Sequence, residues 1–216
     1  MTIFLAALLG ATCGILALMF ACHKCATAFT VIRCFVCAIC SSFAFVALYL
    51  SYAISAQSIA YAFVVSLLVC ISCFDYFTRT IPNLLSASIA LTWVGFVVAQ
   101  AFTGAAMLPA FVQGLVSCAA CALVLFLVVT AFEKLSGRTA LGGGDIKLYL
   151  SCSLFFNFPT AVLNIALSSV FGLVFGIISS RIQANRNTSL LQHSFPFGPS
   201  IALSTAILLI AGNVSL

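Results

Sequence analysis

Charge is nearly absent from this chain. Only 5% of its 216 residues are charged, 64% are hydrophobic, and three alone are acidic. A soluble domain carries roughly a quarter charged residues. The scarcity excludes a water-soluble globule, and a mean hydropathy of +1.31 places the chain in a bilayer. No stretch is polar enough to form a second domain, so residues 1–216 read as one membrane domain. A basic stripe is also missing. The eight lysines and arginines give a net charge of +5 but stand as singles. That excludes a nucleic-acid surface and leaves anionic lipid headgroups as their partners. The first apolar run has no basic region before it, so it reads as a helix rather than a signal peptide.

What is present is a succession of apolar segments. Eight run approximately over 2–21, 34–53, 59–74, 84–101, 110–132, 141–158, 160–180 and 197–216. Most approach the length of about 20 residues that a spanning helix needs. The expected fold is an all-α polytopic membrane bundle of about eight transmembrane helices. Two N-terminal helices occupy 1–58 and a six-helix core occupies 59–216. The connections alternate in charge: Lys24 and Arg33, then none, Arg79, none, Lys134 with Arg138 and Lys147, none, and Arg181 with Arg186. The positive-inside rule puts all of these on the cytoplasmic face and both termini on the other. Merging segments 6 and 7 would move Arg181 and Arg186 outside, against that rule.

With so few acids, each needs a reason. Glu133 sits in the polar "FEKLSGR" and reads as a loop residue in water. Asp75 and Asp145 abut apolar runs, where an ionisable group is costly and marks a functional site. The topology puts both on the cytoplasmic side at similar depth. The stretch from Ile146 to Phe158 would make about 20 Å of helix, short of a hydrocarbon core of about 30 Å. Segment 6 must then recruit Leu141 to Gly144, which sinks Asp145 below the surface. Gly142 to Gly144 are expected as irregular backbone at membrane depth, supplying φ > 0 or close approach of a substrate.

Two facing carboxylates do not both ionise easily. One keeps a proton and the other stays charged. That split suits amide hydrolysis, in which the ionised Asp activates a water and the protonated one polarises the carbonyl. Which Asp plays which part is open, because the pair titrates as a unit. Eleven cysteines complete the unusual features. Cys22/Cys25 and Cys34/Cys37 have zinc-ligand spacing across a loop. The i, i+3 pairs inside apolar segments read as small-residue packing.

Three motifs carry a family resemblance. "GGGDIK" resembles the GxGDxK signature of the type IV prepilin peptidases, a branch of the GxGD intramembrane aspartic proteases. "DYFTRTIPNLLS", Asp75 to Ser86, is similar to that family's other catalytic stretch. "FPFGPSIALS", residues 195 to 204, is similar to its PFGP entry into the last helix. The resemblance covers roughly residues 59–216. It implies an enzyme of the bacterial inner membrane that cuts the short basic leader from prepilins or pseudopilins at the cytoplasmic face. It also implies catalysis by Asp75 and Asp145 without a cofactor.

The signature leaves Gly143 variable, so Gly142 and Gly144 are expected to matter more. Pro82 is expected at the start of helix 4, with Asn83 capping it or orienting a neighbour. Lys147 is expected to reach the headgroups, and Pro196, Gly198 and Pro199 to shape a turn before helix 8 that lines the substrate groove. Longer members insert a sizeable cytoplasmic domain with two widely spaced CxxC pairs, associated with N-methylation. Here that region shrinks to about a dozen residues, so methylation is not expected. The competing readings are a transporter or proton channel using the same two acids and a metal-dependent membrane transferase. The first does not need the IPN and PFGP context, and the second needs more oxygen ligands.

Overall fold

The computed structural model describes residues 2–25, 31–102, 107–137, 141–184 and 196–211. These residues form eight helices and no strands. They are α1 (Thr2–Cys25), α2 (Val31–Tyr52), α3 (Ala56–Thr78), α4 (Asn83–Phe102), α5 (Met107–Ser136), α6 (Gly143–Ser153), α7 (Phe158–Ala184) and α8 (Gly198–Ile210). Five of them (α1, α3, α4, α5 and α7) are long and apolar enough to cross a membrane. Large apolar side chains such as Phe4, Phe43, Leu91 and Phe126 are exposed along the bundle, the surface that lipid would cover.

The helices stop where the sequence gives them a reason. Ser55 and Ser58 form a reciprocal capping box at the start of α3. Arg79 closes α3 in the left-handed region, φ 54 and ψ 31, its N–H donating to the Asp75 carbonyl at 2.9 Å. Segments 6 and 7 remain separate helices, divided by the turn after Ser153. The first two helices reach further into their connection than expected. Cys22 and Cys25 lie on α1, Cys34 and Cys37 on α2, and only 26–30 separate the helices.

Close packing uses small residues. A Cβ on Gly10 or Gly14 of α1 would lie 2.6 Å from the Ser41 carbonyl oxygen or 2.5 Å from that of Cys37, both on α2. Buried polar groups pair between helices. Asn164 of α7 donates to Thr205 Oγ1 at 3.1 Å, and Ser204 of α8 donates to Asn164 Oδ1 at 2.5 Å. The Tyr149 hydroxyl of α6 bonds Ser168 of α7.

These contacts fix two ends of the bundle. One end gathers the start of α1 and the ends of α2 and α8, through Tyr49–Thr2, Ser51–Ile210 and Tyr52–Leu209 hydrogen bonds. The opposite end gathers the end of α3 and the starts of α4, α6 and α8.

Candidate active site

Asp75 sits in the last turn of α3 and is 5% exposed. Its carboxylate accepts the backbone N–H of Gly198 at 2.7 Å. Gly198 opens α8, with Phe197 as N-cap and Pro199 second in the helix. The bond therefore satisfies one of the N–H groups that a helix start leaves without a partner and sets a carboxylate at the positive end of the helix dipole. Nothing larger than glycine fits. A Cβ there would lie 2.9 Å from Asp75 Oδ2 and 3.0 Å from its Cβ. Phe197 anchors this helix start by laying its ring on the bare face of Gly172 in α7. The cationic Arg79 also acts on the Asp75 carboxylate.

Asp145 occupies the matching position in α6. It is third in the helix, and its carboxylate accepts the N–H of the N-cap, Gly142, which is one half of a capping box. Asp75 and Asp145 lie close enough for the charge of one to act on the other. Each acid thus belongs to a helix start, one by sequence and the other across 123 positions.

The glycine run differs from its expected form. Gly143 and Gly144 are helical, and Gly142 alone stands outside as the N-cap, with φ −71 and ψ 144. None of the three has positive φ, so their use is close approach. A Cβ on Gly142 would lie 3.1 Å from Asp145 Oδ2, and one on Gly144 would lie 3.1 Å from Ile81 Cβ. Gly143 faces open space. Gly144 thereby seats α6 against the loop that follows Asp75.

Pro82 stands at the start of α4, just before Asn83, where its carbonyl accepts from Leu85 at 3.1 Å and from Ser86 at 3.5 Å. Asn83 accepts from Lys147 Nζ at 2.9 Å, so the exposed Lys147 head joins α6 to α4. Gly198 and Pro199 are the first residues of α8, and Pro196 alone remains in the turn before it.

Of the cysteine quartet, Cys22 is buried and Cys37 is half-buried. The side chains of Cys25 and Cys34 lie outside the described residues. Among the described residues no three His, Cys, Asp or Glu side chains converge as a metal site would need. The residues missed by sequence reasoning are Tyr149, Asn164, Ser168, Ser204 and Thr205, which lock α6, α7 and α8 together behind the aspartates.

The profile of the type IV leader peptidase family matches residues 62–177, more than half of the chain. A Dickeya chrysanthemi protein named prepilin leader peptidase/N-methyltransferase is 29% identical over 139 residues, 64% of this chain and 46% of its own length. A Legionella pneumophila protein of the same name is 26% identical over 132 residues, 59% of this chain and 42% of its own. One from Stutzerimonas stutzeri is 31% identical over 91 residues, 42% and 30% respectively. The chain spans less than half the length of the curated relatives it matches. No solved structure matches the chain.

Proposed function

Because the chain belongs to the type IV leader peptidase family, we propose that it is an intramembrane aspartic endopeptidase. It removes the leader of type IV prepilins or pseudopilins at the cytoplasmic face of the bacterial inner membrane. The observation that carries this reading is the placement of Asp75 and Asp145 at two helix starts, close enough for the charge of one to act on the other. Their mutual repulsion favours one shared proton over two ionised groups. The ionised carboxylate takes a proton from a water, which attacks the scissile carbonyl. The protonated carboxyl hydrogen-bonds the carbonyl oxygen and then delivers a proton to the leaving amine. No cofactor enters the reaction.

Depth supports the same reading. Helices α6 and α8 have 11 and 13 residues, about 16 and 20 Å, too short for a hydrocarbon core of about 30 Å. Both begin at the aspartates. Helix α7 runs beside them and continues a dozen residues past Gly172, which is level with Phe197. In this reading the two short helices leave the aspartates below the membrane surface, within reach of a peptide bond at the end of a membrane-embedded segment. Residues 59–216 form the catalytic core, with α1 and α2 packed on α3. Gly142, Gly144, Pro82, Asn83, Lys147, Pro196, Gly198 and Pro199 support the site or line the substrate path. The reading covers peptidase activity alone.

The test is co-expression with a prepilin and a gel-shift readout. Asp75→Asn and Asp145→Asn should each abolish processing while the protein still inserts at parental level. Normal processing by either variant would overturn the aspartic mechanism.

A further inference from the structure

The cysteines have a use that the peptidase reading does not absorb. Cys37 of α2 and Cys73 of α3 point at each other, with sulfurs 3.7 Å apart. They stand 36 positions apart in sequence, so the CxxC spacings do not reveal the pair. Cys70 on α3 and Cys22 on α1 are close enough for their charge to act on Cys73. A disulfide needs its sulfurs about 2 Å apart, and rotation about side-chain bonds can close the remaining gap. Cys37 is half-buried, which gives a small oxidant a way in, whereas Cys73 is buried.

We propose that Cys37 and Cys73 are a peroxide-sensitive pair that closes to a disulfide joining α2 to α3. The chemistry balances with hydrogen peroxide as oxidant. The more accessible Cys37 sulfur attacks one peroxide oxygen, and the O–O bond breaks. The departing oxygen leaves as water after gaining a proton, and Cys37 becomes a sulfenic acid. The Cys73 sulfur then attacks the Cys37 sulfur and expels the second oxygen, also as water. Two thiols and one peroxide give one disulfide and two waters. The new bond would lie two residues before Asp75 and would pin the site end of α3 to α2.

The experiment uses the full chain, purified in detergent and folded as judged by a monodisperse elution profile. It is exposed to hydrogen peroxide, blocked with N-ethylmaleimide, digested with pepsin and read by mass spectrometry. Pepsin is needed because no lysine or arginine separates the two cysteines. The expected result is a Cys37–Cys73 cross-linked species in most chains, lost on treatment with dithiothreitol and absent from Cys37→Ser and Cys73→Ser. Recovery of both residues as maleimide adducts after oxidation would overturn the proposal. So would a Cys73 linkage to Cys70 or Cys22 in place of Cys37. The parent protein decides between these outcomes even if a serine variant fails to fold.

Discussion

At Gly198 a methyl group would have to displace the carboxylate of Asp75. Its Cβ would approach three atoms of that side chain within 3.1 Å, and overpacking of this kind costs about 1–3 kcal/mol. Gly198→Ala should therefore slow prepilin cleavage at least tenfold at matched membrane expression, in a time course beside the parent. The same assay should rank the glycine run. Gly143→Ala faces open space and should cleave at the parental rate. Gly144→Val pushes a branched side chain into Ile81 and should be the most damaging change within the run. Equal rates across the series would mean that close approach plays no part in the site. The two aspartates were legible because acids are so scarce here that each one demanded an explanation. The hold on Asp75 was not legible. A backbone N–H looks the same at every position, and only the fold decides which one meets a carboxylate 123 residues away. The glycines were half legible. Their presence signalled a tight place, but the helical φ of Gly143 and Gly144 could not be read from the letters.

The helices followed from hydropathy because a spanning segment must satisfy its backbone internally. Their ends were less readable, since capping is local and polar residues are few. Helix α3 runs past Asp75 to Thr78, and α6 stops at Ser153. The buried hydrogen bonds between α6, α7 and α8 were invisible, because Asn164, Ser204 and Thr205 look like ordinary tolerated polar residues in an apolar run. Interhelical bonds of this kind contribute about 0.6 kcal/mol and up to about 1.7. Asn164→Ala removes the partner of both Ser204 and Thr205. It should lower the thermal midpoint in detergent by a few degrees without changing the pH profile of cleavage. An unchanged midpoint would mean that the pairing contributes nothing to stability. The Lys147–Asn83 bond is exposed, so a double-mutant cycle with Lys147→Ala and Asn83→Ala should return a coupling below about 1 kcal/mol.

For the molecule as a whole, the start of α1 and the end of α8 lie at the opposite end of the bundle from the two aspartates. The charge pattern predicts which side each faces. Gly143→Cys tests this, since its side chain would be exposed and free of contacts. In inverted membrane vesicles it should react with a charged, impermeant thiol reagent, and in right-side-out vesicles it should not. The reverse pattern would invert the topology. Helix α8 joins the two ends. Its first N–H holds Asp75, and its last carbonyls accept from Tyr52 and Ser51 of α2. A single helix pinned at both ends behaves as a strut about 20 Å long. A displacement along its axis at the far face is shared with α7 through Asn164, and what remains reaches the carboxylate as a change in the length of one hydrogen bond.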